Sequence, residues 1–96
     1  MIIKEIIWLR QFAEKIERKH QVSQAEVDET LVKQPQVRRM RRGDRKGEDL
    51  YRAGGQTDAG RCLSIFFIYK GQGRALVISA RDADTKELRS YGKYKK

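Results

Sequence analysis

Ninety-six residues make one small domain, 1–96, with a core modest enough that a tight partner or a homodimer would suit it. The single cysteine, Cys62, excludes an internal disulfide and with it the disulfide-stapled secreted class. Net charge is +9, and seven basic residues against one acid between Lys33 and Lys46 supply +6 of it, a concentration that draws polyanions. Most of that excess is arginine, whose planar fork fits phosphate. This makes Arg38, Arg39, Arg41, Arg42, Arg45 and Lys46 the candidate RNA-binding residues; a solvated surface strand is the plainer alternative. The tail adds Lys93, Lys95 and Lys96.

The apolar runs Ile6–Leu9, Leu63–Tyr69 and Ala75–Ala80 are too short to span a bilayer. The N-terminus, broken by Lys4 and Glu5, lacks the pattern of a signal peptide, so the cytoplasm is the expected compartment.

Along the chain, Ile2–Trp8 reads as a short β-branched strand. Leu9, Phe12, Ala13 and Ile16 then fall at helical spacing, one apolar stripe that ends near Gln21-Val22. Ser23 and Glu26 form a capping box, with Val22 and Val27 spaced as its hydrophobic staple. The second helix carries Val27 and Leu31 inward and ends before Pro35. Val37–Arg42 reads as a strand, Gly43–Gly47 as a turn and Asp49–Gly54 as another strand. Gly54-Gly55 and Asp58–Gly60 are expected to punctuate a loop. Arg61–Tyr69 and Arg74–Ala80 read as a hairpin closed at Gly71–Gly73. Asp84 and Glu87 cap a last short helix, about Thr85 to Tyr91. The expected fold is α+β: a mainly antiparallel sheet of four to five strands, with two N-terminal helices and a short C-terminal helix packed on one face.

Three ordered stretches carry a family likeness. They are Trp8 followed by Lys19-His20 and Val22-Ser23; Tyr51-Arg-Ala-Gly-Gly-Gln-Thr-Asp-Ala-Gly-Arg61; and Ile78-Ser-Ala-Arg81 with Lys86-Glu87 and Tyr91. Together they resemble the BrnT toxins, the ribonuclease half of a bacterial type II toxin–antitoxin system with a RelE-like fold. The resemblance implies an RNA substrate, a cognate antitoxin covering the basic surface, and operator DNA reached only through that complex. Two positions depart from the family pattern. Gln21 stands where the family has glycine, and Leu50 stands where it commonly has arginine, with Arg45 or Arg52 as the neighbouring substitutes.

Cleavage of this kind uses the 2′-hydroxyl as nucleophile, so the site needs a base, an acid and cations for the charge that builds on phosphorus. His20 is the only histidine, and histidine suits both proton roles near neutrality; capping a helix C-terminus is its structural alternative. Arg81 closes an apolar strand, where it can face a cleft or pair with Asp82, Asp84 or Glu87. Arg61 starts a strand, and without the resemblance an exposed strand-start role is the simpler account. The candidate catalytic set is Lys19, His20, Arg61, Arg81 and Glu87. Tyr51 is a candidate to bind phosphate or stack on a base, or else a half-buried sheet tyrosine. Trp8 reads as packing.

One histidine and one cysteine supply no zinc cluster, and Gly-Gly-Gln-Thr is no phosphate loop, so no metal or cofactor is expected. The sequence therefore reads as an RNA-binding, metal-independent endoribonuclease toxin. Its rivals are a catalytically inactive nucleic-acid- or protein-binding module of the same fold, which Leu50 favours, and a structural subunit docked on an acidic protein.

Overall fold

A computed structural model describes residues 1–45 and 47–91. Local signals set most of the elements. Strand β1 (Glu5–Ile7) leads into helix α1 (Arg10–His20), which ends at Gln21 in the left-handed conformation, φ 54°, the N–H of Gln21 donating to the carbonyl of Glu17. That geometry is one a glycine would adopt at no steric cost. Helix α2 (Gln24–Val32) opens on the expected box: the Ser23 hydroxyl accepts from the N–H of Glu26, and the Glu26 carboxylate accepts from the N–H of Ser23. Val22 and Val27 are both buried beneath it.

Four further strands follow: β2 (Gln36–Arg41), β3 (Leu50–Gln56), β4 (Cys62–Gly71) and β5 (Arg74–Asp82). Helix α3 (Thr85–Ser90) closes the described chain and carries a second capping box between Asp84 and Glu87. The sheet has the order β1-β5-β4-β3-β2; β1 runs parallel to β5 and every other pair is antiparallel. Gln72 and Gly73, both with positive φ, make the two-residue turn between β4 and β5, the conformation that matches strand twist in a tight hairpin.

Side chains alternate across the sheet. On one face Ala53, Leu63, Ile65, Phe67, Ala75 and Val77 are buried with Ile16 of α1 and Val27 and Leu31 of α2. Trp8 packs at the edge of this core and donates from its indole N–H to Asp28 at 3.0 Å, so it serves packing as expected. Ser64, Arg52 and Gly54 point to the other face, which α3 covers at one end.

Three expectations are corrected here. The helices do not share one face: α1 and α2 lie on one side and α3 on the opposite side. Its local capping signals give α3 a beginning and an end, but carry no information on which side of the sheet it docks. The strand expected to end at Gly54 runs on through Gly55 to Gln56, so Gly55 opens no loop and both glycines lie in the buried end of β3. Glycine is required at both. A Cβ on Gly54 would fall within the ring of Tyr91, and one on Gly55 would meet Thr30 Cγ2 at 2.9 Å. The first strand is also shorter than Ile2–Trp8, because only Glu5, Ile6 and Ile7 find partners on β5.

Tyr91 thus sits flush on the backbone of β3, with α3 held against the sheet. Gly54→Ala is expected to lower the free energy of unfolding by about 1–3 kcal/mol. Urea denaturation measures it, and an unchanged midpoint would mean that the Tyr91 ring lies elsewhere.

Candidate functional site

Two arginine-centred networks meet at the end of β5, one from each face of the sheet. On the α1/α2 side, Arg61 precedes β4 and reaches three elements, α1, α2 and β5. Its Nε donates to Asp82 at 2.7 Å, its Nη1 to the Gln21 carbonyl at 2.9 Å and to Glu26 at 3.1 and 3.2 Å, and its Nη2 to the His20 carbonyl at 3.3 Å. Each guanidinium nitrogen is therefore engaged by the protein. The hydrogen bond that Arg61 donates to Asp82 raises the Arg61 pKa and lowers that of Asp82. Glu26 is also held below the ordinary carboxylate value, first by the backbone N–H of Ser23 and then by Arg61. Lys19 is exposed and His20 half-buried in the last turn of α1, and His20 is close enough to Asp82 for its charge to favour the ionised carboxyl.

On the α3 side the centre is Glu87, only 6 % exposed. Arg81 grips it with both terminal nitrogens, each at 2.8 Å. The Ser64 hydroxyl donates to Glu87 at 2.8 Å, the N–H of Asp84 donates at 2.9 Å, and Arg52 Nη1 approaches at 3.5 Å. Burial alone would push this carboxyl up. The Arg81 guanidinium, the Asp84 N–H and the Ser64 hydroxyl outweigh it and hold the pKa at about 2. Burial raises the Tyr91 phenol, whose hydroxyl lies 2.8 Å from that of Ser64. Arg81 lies over the Phe66 ring and Arg52 over the Tyr91 ring, at 5.3 and 5.5 Å from the centroids.

Beside this network a cavity of about 410 Å³ is lined by Gln36, Val37, Arg38, Arg52, Ser90 and Tyr91. Arg38 pairs with Arg52 across β2 and β3, so the two face the same side. Arg38, Arg39, Arg41, Arg42 and Arg45 are all exposed; Arg39 pairs with Asp49 at 3.4 Å. Lys46, Lys93, Lys95 and Lys96 lie outside the described residues.

The candidates named from sequence therefore fall into three places. Arg81 and Glu87 are brought together on the α3 side. Lys19, His20 and Arg61 gather at the end of α1 on the other. Tyr51 is not brought to the α3 side at all: its ring stacks on Phe67 at 5.7 Å and meets Tyr69 edge-on at 6.2 Å, on the helix-covered face. Ser64, Glu26 and Asp82 are not singled out as site residues by the sequence, and Arg52 enters there only as a substitute for the arginine missing at position 50. The usable signal for Arg52 was strand alternation, which puts it on the face opposite Tyr51.

Among the described residues no helix is long and apolar enough to cross a membrane, and no three His, Cys, Asp or Glu side chains form a group able to hold a metal ion.

This architecture has known counterparts. Residues 8–87 match the family model described as the ribonuclease toxin BrnT of type II toxin–antitoxin systems. The crystal structure of the Brucella abortus ribonuclease toxin BrnT is similar over 84 % of this chain and 97 % of that one, with a TM-score of 0.60 at 20 % identity. No curated protein matches. The class is thus that of the ribonuclease toxins of type II toxin–antitoxin systems. Within that class the chain belongs to the BrnT family, and type II membership implies an antitoxin protein as its partner.

The Glu87 carboxyl is depressed in the fold, so its contribution to stability is complete above its ordinary value of 4.5 and is lost as pH falls toward about 2. Glu26 and Asp82 act in the same direction. Denaturation between pH 2 and 5 should show stability falling with acid. Glu87→Gln should flatten that fall while lowering stability at neutral pH; an equally steep acid limb in the variant would count against the assignment.

Proposed function

We propose that the chain, as a single domain, is a cytoplasmic, metal-independent endoribonuclease toxin that holds RNA on the α3 side of its sheet. The observation that carries this is the anchoring of Arg81. Two 2.8 Å bonds to a buried, ionised Glu87 fix its guanidinium, while a third of the side chain (34 %) stays exposed beside the arginine-lined cleft. A cation fixed in this way stabilises developing phosphorane charge without reorganising when the charge appears.

In this reading the 2′-oxygen bonds to phosphorus as the P–O5′ bond breaks, leaving a 2′,3′-cyclic phosphate and a 5′-hydroxyl. The 2′-hydroxyl loses its proton to a base and the leaving oxygen gains one from an acid. His20 lies across the sheet from Arg81 but close to Asp82 at the same end of β5, and it is the candidate to move these protons for a backbone that crosses that edge, with Lys19 adding positive charge. Glu87, with its oxygens engaged and its pKa at about 2, is a poor base at neutral pH and is assigned as a positioning residue for Arg81. Arg61, saturated by Asp82, Glu26 and two carbonyls, holds the turn that carries His20. The exposed arginines of β2 and the following turn draw in the RNA backbone, and the antitoxin would cover the same surface. Metal independence belongs to this reading because the attacking 2′-hydroxyl is internal to the substrate and needs no metal-activated water.

One observation favours a second reading. Leu50 is half-buried against Ile68 at the start of β3, an apolar residue on the face that carries Arg52. A module that binds nucleic acid without cutting it would fit that substitution.

Purified protein incubated with total RNA in excess EDTA is expected to yield fragments ending in 2′,3′-cyclic phosphate. Arg81→Ala should reduce kcat about 10²–10³-fold. Wild-type protein that binds RNA at low salt yet leaves it intact would overturn the enzyme reading and leave the binding module.

A further inference from the structure

The cleft bounded by β2, β3 and α3 holds a guanidinium whose surroundings do not account for it. The Arg52 side chain is only 13 % exposed. Among the described residues its sole hydrogen-bond acceptor is one oxygen of Glu87, at the long distance of 3.5 Å, and its Nε is buried without a partner. Glu87 serves it only weakly: Oε1 already accepts from Arg81, Ser64 and Asp84, and Oε2, bonded to Arg81 at 2.8 Å, meets Arg52 only at 3.5 Å. A guanidinium carries five donors, and buried donors are ordinarily satisfied. Tyr91 covers one side of Arg52 through its ring face, which offers attraction to the cation but no in-plane acceptor. By contrast, Arg61 and Arg81 on the same domain are each met by carboxylate at 2.7–2.8 Å.

The missing acceptor has room. The adjoining cavity of about 410 Å³ is lined by Arg38 as well as Arg52, and register places these two directly opposite each other on neighbouring strands. Like charges so placed repel across a sheet, which is tolerated where an anion sits between or beside them. Arg38, Arg52 and Arg81 against the single Glu87 leave this patch with two net positive charges.

We propose that this cleft is a phosphate subsite in which Arg52 and Arg38 together grip one phosphate group of the bound nucleic acid, apart from the phosphate presented to Arg81. The assignment deepens the ribonuclease reading and rests on it for the identity of the ligand. Arg52 supplies a fixed fork from the cleft floor, and exposed Arg38 closes over the anion from the edge strand.

The test uses the full chain with a 2′-O-methyl oligoribonucleotide, which cannot be cut, lacking terminal phosphates; the same oligomer with a 3′-phosphate; and inorganic phosphate. Arg38→Gln and Arg52→Gln should each weaken oligomer binding about tenfold. Each should reduce the slope of log affinity against log salt by about 0.7. Arg10→Gln, which removes the same charge from an exposed site on α1, should do neither. Inorganic phosphate should shift the Arg52 Nε–H resonance in wild type and not in Arg38→Gln. Sensitivity with the unphosphorylated oligomer assigns the cleft to an internal diester, and sensitivity only with the 3′-phosphate assigns it to a chain end; both uphold a phosphate subsite. If both cleft variants match Arg10→Gln in affinity and slope, the proposal is overturned. Should Arg52→Gln fail to fold, Arg38→Gln decides alone, since its side chain lies at the surface. The subsite and the enzyme reading fail separately, because binding of the uncuttable oligomer does not depend on cleavage.

Discussion

The carboxylate of Glu87 is the contact on which the α3 side of the domain depends. It accepts from both terminal nitrogens of Arg81, from the Ser64 hydroxyl and from the N–H of Asp84, and it lies near Arg52. These donors come from β3, β4, β5 and the N-terminus of α3, so one buried charge joins the short helix to three strands. A helix of six residues has little stability of its own. What keeps it in place is the cost of leaving the buried Glu87 carboxylate without the Arg81 guanidinium. The flush packing of Tyr91 on Gly54 follows from the same attachment: with the helix fixed at Glu87, the ring at its C-terminal end has no space except over a residue without a side chain.

On the other side of the sheet Arg61 performs the equivalent task with the charges reversed. It joins the C-terminal carbonyls of α1, the capping box of α2 and the end of β5. The left-handed residue Gln21 sits in the middle of this arrangement, its carbonyl accepting from Arg61. Asp82, bonded to Arg61, immediately follows Arg81, bonded to Glu87. The two networks therefore share two consecutive residues whose side chains leave the strand in different directions, and the end of β5 carries both halves of the candidate site.

Features set by near neighbours were legible in the sequence. Both capping boxes, the staple between Val22 and Val27, and the tight β4–β5 turn depend on residues within a few positions of one another. The features that were not legible depend on distant contacts. Gly54-Gly55 has the composition of a loop, and only the approach of Tyr91 on one face and Thr30 on the other makes it a strand. The docking side of α3 depends on where Ser64 and Arg81 point. Arg61 and Arg81 could be named from their motifs, yet no motif distinguishes an arginine already saturated by protein acceptors from one with a free side toward a cleft. Tyr51 shows the same limit: its type suits stacking on a base, and strand parity commits it to Phe67 instead.

Parity also changes the meaning of Leu50. Residues 50 and 52 lie on the same face of β3, separated along the strand by about 7 Å, which a long arginine side chain readily covers. The departure from the family pattern at Leu50 thus leaves a cation on the same face one rung further along, under Tyr91 and opposite Arg38. The residue left behind is apolar and half-buried against Ile68. An apolar neighbour lowers the local dielectric and strengthens the field of the guanidinium beside it. Positive charge is gathered at the cleft end, where Arg38, Arg52 and Arg81 face one carboxylate.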